Sequence, residues 1–93
     1  MHMYLWDLAK SEINKKKHGI SFEEAKEHIF ENRNILVPGV AYDKEGEIRH
    51  AAVGKFKNKY YVGIFTITDE GIRIISVRRA RHEEEKQARE KGL

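Results

Sequence analysis

A chain of 93 residues with no cysteine, 40% hydrophobic and 35% charged residues describes one small domain over residues 1–93. Such a domain is held by one modest core, with neither disulfides nor a thiolate metal site. No apolar run approaches the roughly 20 residues of a membrane helix and no signal-peptide core opens the chain, so the expected location is cytoplasmic. The net charge of +3 is unevenly spread, with residues 21–32 summing to −3 and residues 33–60 to +3. A basic strand region beside an acidic helix suggests a face that tolerates phosphates, and a solvated surface of mixed charge is the plainer alternative.

In chain order, Met1, His2 and Met3 read partly as added residues, because two start-like methionines flank a histidine. Met3 to Trp6 is an aromatic-rich strand candidate. Asp7 suits the N-cap of a first helix, whose Trp6, Ala9 and Ile13 recur near helical spacing and predict an apolar face. Asn14 to Lys17 form a basic last turn, and His18-Gly19 supplies the stop. Ser21 with Glu24 three residues on is a capping box, and Ile20 can staple onto Ala25. Phe22, Ala25, Ile29 and Phe30 then predict the buried stripe of a second helix, ending near Asn32 or Asn34.

The period changes after that. Ile35–Tyr42, Glu47–Phe56, Tyr60–Thr68 and Ile72–Arg79 are β-branched and aromatic runs. Short turns at Asp43-Lys44-Glu45-Gly46, Lys57-Asn58-Lys59 and Asp69-Glu70-Gly71 separate them, which predicts an antiparallel meander. Pro38 demotes the first run to an edge or an irregular segment. On the last run, strict alternation predicts Ile72, Ile74, Ser76 and Arg78 on one face and Arg73, Ile75, Val77 and Arg79 on the other. From Ala80 the chain is helix-forming and charged, with Ala80, Ala88 and Leu93 as its apolar residues, so this helix is expected to bury little by itself. The expected fold class is α+β, with two helices on one face of the sheet.

Strand, two helices, meander and terminal helix in that order resemble the RelE-like toxin fold. Trp6-Asp7, Asn14, Lys17-His18-Gly19-Ile20-Ser21-Phe22 and Ala25 resemble the N-terminal signature of the BrnT-like toxins. Gly46-Glu47-Ile48-Arg49 with Gly54, and Ile74-Ile75-Ser76-Val77-Arg78-Arg79-Ala80 with Glu84, are similar to that family's central and C-terminal motifs. Val77 stands where the family usually has Ala, and Ala88 where it commonly has Tyr. The resemblance implies a metal-independent endoribonuclease toxin that needs no cofactor. It also implies an adjacent-encoded, DNA-binding protein antitoxin whose complex with the toxin regulates its own operon.

Metal-free RNA cleavage needs a proton acceptor near groups that stabilise extra charge on the phosphate, and the planar fork of arginine suits the second task. The candidates are His18, Arg49 and Arg78 for catalysis, with Lys17, Arg79 and His50 along the RNA path. Each has a plainer alternative. For Arg78 it is a salt bridge to a helix glutamate, for Arg49 a cross-strand ion pair, and for His18 a favourable position against the helix dipole. His50 is adjacent to Arg49 and points to the opposite face unless a bulge intervenes. Phe56, Tyr60, Tyr61 and Phe65 interleave with basic residues as base-stacking platforms do, or else form core. No ligand spacing for a metal occurs. Two other readings stay open: an RNA-binding module without catalysis, and an interaction protein whose terminal helix makes a homodimer or docks a partner.

Overall fold

The computed structural model describes residues 3–37, 41–42 and 46–93; Met1, His2, Pro38 and the Asp43-Lys44-Glu45 part of the expected turn lie outside the described residues. Strand β1 (Tyr4–Leu5) leads into helix α1 (Leu8–His18). Asp7 caps α1 by accepting the Lys10 amide at 3.1 Å, and Gly19 ends it at φ 80°, a left-handed conformation that costs glycine nothing. The apolar face expected of α1 is not its buried one. Ile13 is 61% exposed and Ala9 is exposed, whereas Ser11 and Asn14 are buried.

The reason is what α1 lies against. Ser11 Oγ accepts the Phe22 amide at 2.9 Å, Asn14 Nδ2 donates to the Ile20 carbonyl at 2.8 Å, and Asn14 Oδ1 accepts the Val77 amide at 3.3 Å. These backbone groups belong to the loop at Ile20, to the helix start at Phe22 and to a strand side that has no strand partner there, and buried backbone polar groups must be satisfied. Polar side chains therefore face inward on α1.

Helix α2 (Phe22–Ala25) starts at the expected capping box, with Ser21 Oγ accepting from Glu24 N at 3.0 Å and Glu24 Oε1 from Ser21 N at 2.9 Å. It passes directly into a π-helical turn, Lys26–Phe30, closed by Asn34 Nδ2 donating to the Ile29 carbonyl at 2.9 Å. The wider turn sets Ile29 and Phe30 down on two glycines. A Cβ on Gly54 would stand 2.9 Å from Ile29 Cγ2, and one on Gly63 2.5 Å from Phe30 Cζ. Only glycine lets this turn approach the sheet so closely.

The sheet runs β1-β6-β5-β4-β2, and β3 (Ala41–Tyr42) also pairs with β4 (Ile48–Phe56). β2 (Asn34–Leu36), β4, β5 (Lys59–Thr68) and β6 (Gly71–Arg79) form the expected antiparallel meander, while β1 joins β6 in parallel. Lys57 (φ 52°) and Asn58 (φ 63°) make the two-residue turn between β4 and β5, with the paired positive φ values of a type I′ hairpin. The alternation expected on β6 does not hold. Ile64 pairs with Ser76 but Phe65 pairs with Ile74, so Ile75 is an extra residue. This bulge returns Ile74 to the face of Val77, where both are buried with Phe22 and Ile29. Arg73 is thereby moved to the face of Ser76 and Arg78.

Two cores lie on opposite faces of the sheet. One packs Ile20, Phe22, Ala25 and Ile29 against Phe56, Tyr61, Ile74 and Val77; the other packs Val53, Tyr60 and Val62 against Ala88. Ala88 belongs to α3 (His82–Glu90), which therefore buries more than its composition led us to expect. Ala88 is 1% exposed, Tyr60 Oη donates to the Leu93 carbonyl at 2.6 Å, and Arg78 bridges to Glu84. One small residue over a tyrosine-lined face, plus polar fastenings at both ends, replaces the missing apolar stripe.

Candidate active site

The registers place side chains on the α3 side of the sheet in rows. Val53, Val62 and Arg78 form one row, and Ala51, Ile64 and Ser76 the next. Arg73 pairs with Thr66 in a third row, and one step beyond the His50–Phe65 pair sets Arg49 beside Thr66. Rows are about 7 Å apart, so Arg49 and Arg78 are separated by two rows and two strands, about 16 Å between Cα positions. Helix α3 stands over the first row. The second and third rows, called the shelf below, hold half-buried Ala51, Ile64 and Ser76 and buried Thr66, with Arg49 and Arg73 in the third row and Arg78 in the row beneath α3.

The shelf has unmet hydrogen-bonding capacity. Arg49 Nε and Thr66 Oγ1 are buried without a hydrogen-bond partner, and no hydrogen bond or ion pair joins Arg49 to another described residue. A buried donor and a buried hydroxyl left without partners are costly for the fold alone.

At the other end, Arg78 is engaged. Nη1 and Nη2 donate to Glu84 Oε1 and Oε2 at 2.8 and 2.9 Å, and Nη1 also reaches the Arg79 carbonyl at 3.2 Å. This is the helix-glutamate salt bridge foreseen as the alternative role of Arg78. It occupies three of the five guanidinium donors and leaves Nε–H and one Nη2–H, which lie on one side of the group and can still grip two oxygens. Glu84 is doubly fixed, because Oε1 also accepts the Arg81 amide at 2.8 Å. Hydrogen bonds from Arg78 hold its carboxyl below the usual carboxylate range, although partial burial pushes the other way, and the Arg81 amide adds to the lowering.

His18, Lys17 and Arg79 are elsewhere. Arg79 stacks over Tyr61 at 5.5 Å, and the hydroxyl of Tyr61 lies 4.0 Å from where a Gly19 side chain would begin, next to His18. Tyr61 belongs to the core beneath α1 and α2, so this group sits on the face opposite Arg78. His50 is on that face too, stacked on Phe65 with 5.3 Å between ring centroids. It points away from Arg49, as strand alternation requires. The two sheet faces thus divide the predicted residues, with Arg49 and Arg78 on one side and His18, Lys17, Arg79 and His50 on the other.

Phe56, Tyr60, Tyr61 and Phe65 are all buried, which makes them core rather than open stacking platforms. A concavity of about 390 Å³ bordered by Trp6, Leu8, Glu12 and Lys15 contains no arginine or histidine among its lining residues. Among the described residues no three His, Cys, Asp or Glu side chains gather to hold a metal ion, and no helix is long and apolar enough to cross a membrane.

A comparison against family models finds a match over most of the chain. Residues 6–84 match the model described as ribonuclease toxin, BrnT, of type II toxin-antitoxin system. The chain belongs to that family. It is accordingly a ribonuclease toxin of a type II toxin–antitoxin system, with RNA as its target and a protein antitoxin as its partner. A search of curated proteins returned no match. The BrnT match runs from Trp6, ahead of the α1 cap, to Glu84, so it takes in the first turn of α3.

Arg73 on the shelf and Glu84 beside Arg78 were not among the predicted candidates. Arg73 was missed because only the bulge at Ile75 brings it to this face, and nothing in a run of isoleucines announces a bulge. Glu84 was visible as part of the C-terminal motif, but its position at Arg78 depends on how α3 folds back over the sheet.

Proposed function

We propose that this BrnT toxin cleaves RNA without a metal ion, leaving a 2′,3′-cyclic phosphate, and that the α3-side shelf is where it does so. The RNA 2′-hydroxyl attacks the adjacent phosphorus, and Arg78 with Arg49 carries the charge that builds on the phosphate oxygens. The observation that supports this most is the open capacity of Arg49, a buried and unpartnered guanidinium nitrogen on the same sheet face as Arg78. Their separation suits one short RNA segment, with the scissile phosphate at Arg78 and a neighbouring phosphate at Arg49. Lys17, His18, Arg79 and His50 then serve the RNA backbone where it passes the other face. Both arginines come from one chain, so the reading calls for no homodimer. The antitoxin neutralises by covering the shelf and α3, and its DNA-binding part lets the pair repress its own operon.

Purified protein incubated with RNA in EDTA tests the reading directly. Cleavage should persist, and mass spectrometry of the products should show cyclic phosphate and 5′-hydroxyl ends. Arg78→Ala should lose on the order of 100-fold or more in rate, with Arg78→Lys recovering part of it. Activity abolished by EDTA and restored by magnesium, or 5′-phosphate ends, overturns it.

A further inference from the structure

The reaction needs a group to take the 2′-hydroxyl proton, and His18 lies on the opposite face of the sheet from Arg78. Among the described residues, Glu84 is the carboxylate that bonds Arg78 directly. We propose that Glu84 is the general base of this toxin and that Arg78 joins it to the scissile phosphate; this rests on the metal-independent cleavage proposed above.

The geometry of one guanidinium carries the inference. Its end, Nη1 and Nη2, grips the Glu84 carboxylate, and its side, Nε and Nη2, is free. A phosphate taken by that free side sits next to the carboxylate, because both are held by the same rigid planar group. The two carboxylate oxygens are not equivalent. Oε1 accepts from both Arg78 and the Arg81 amide, whereas Oε2 accepts from Arg78 alone at 2.9 Å and keeps a lone pair. The Glu84 side chain is 18% exposed, enough for one edge to meet a ligand while its other contacts stay dry.

The step balances without a further reactant. Glu84 Oε2 takes the proton of the 2′-hydroxyl as O2′ forms a bond to phosphorus. The P–O5′ bond breaks, the 5′-oxygen takes a proton from water, and Glu84 returns its own proton to solvent. The negative phosphate arriving at Arg78 competes for the guanidinium and raises the basicity of the carboxylate when the proton must be accepted.

Glu84→Gln and Glu84→Asp separate a base from a strut. Glutamine keeps the length and an oxygen for the Arg81 amide but removes the proton acceptor; aspartate keeps the acceptor and shortens the reach. Single-turnover cleavage of RNA in EDTA across pH 4–9, with melting curves and RNA affinity in parallel, reads them out. The expectation is a loss of 100-fold or more in rate for Glu84→Gln, with RNA affinity retained and the acid limb of the pH–rate profile gone. Glu84→Asp should be slower than wild type yet keep that limb. Equal losses in both variants that track their melting temperatures, or a Glu84→Gln enzyme with the wild-type pH profile, overturn the role of Glu84 while leaving the cleavage reaction standing. A wild-type protein inactive in EDTA defeats both readings together.

Discussion

The two faces of the sheet are built on opposite plans. Under α1, α2 and the π-helical turn the face is aromatic and closed: Phe22, Ile29, Tyr61 and Val77 are buried, and glycines at 54 and 63 let side chains of the turn touch the strands. Under α3 the apolar patch is small, centred on Val53, Tyr60, Val62 and Ala88, and the sheet beyond it carries arginines and an unsatisfied threonine. A protein of this size has few residues to spare for core. Concentrating close packing on one face frees the other to hold charges that a fully packed core would exclude. Stability and chemistry are therefore expected to respond to different substitutions.

Ile29→Ala should make the largest break in that division, since Ile29 is fully buried. Removing it from a packed core should cost about 2–5 kcal/mol in denaturant unfolding, with RNA cleavage per folded molecule little changed. Arg49→Ala is its counterpart. It should lower cleavage by about 100-fold, equivalent to about 2.7 kcal/mol, with the unfolding midpoint unchanged or raised, because a buried unpartnered donor is removed. If Arg49→Ala destabilised the fold as Ile29→Ala does, the shelf would be part of the structural core.

Asn14→Ala comes next. It strips partners from the Ile20 carbonyl and the Val77 amide, and should cost about 1–3 kcal/mol, although Asn14 is polar and on a helix otherwise dominated by charge. The smaller Ile13→Ala change on the same helix should be nearly neutral, as its side chain is mostly in solvent.

A further effect, on acid stability, sharpens the comparison. Glu24 and Glu84 both have folded carboxyls held below their ordinary range: at Glu24 partial burial pushes up, but bonds from Lys15 and Ser21 outweigh it, and at Glu84 the bonds from Arg78 lead. For a group lowered on folding, the stabilisation is present above the unfolded pKa, about 4.3 for glutamate, and is lost as pH falls through the folded value. Melting temperature should therefore hold between pH 7 and pH 5 and drop below about pH 4. Glu84→Gln should reduce that drop and leave the part due to Glu24; no change in it would show that the Arg78 bridge adds nothing to folding.

Local chemistry was legible in the sequence wherever a few adjacent residues decide the outcome. The Asp7 cap, the Gly19 stop, the Ser21–Glu24 capping box and the hairpin turn at Lys57-Asn58 all depend on dihedral preferences and hydrogen bonds within a few positions, and all occur as expected. The family was legible too, because its motifs lie in order along the chain. What the sequence left undecided is non-local. The polar burial of α1 follows from which backbone groups it happens to cover. The bulge at Ile75, which carries Arg73 across the sheet, comes from the fit of β6 against β5 rather than from a marked residue. The meeting of Arg78 with Glu84 requires α3 to fold back over Tyr60, and the separation of His18 from the arginines requires a sheet between them. A residue's type and spacing set what it can do; which face of a sheet it reaches, and what waits there, is set by packing between segments far apart in the chain.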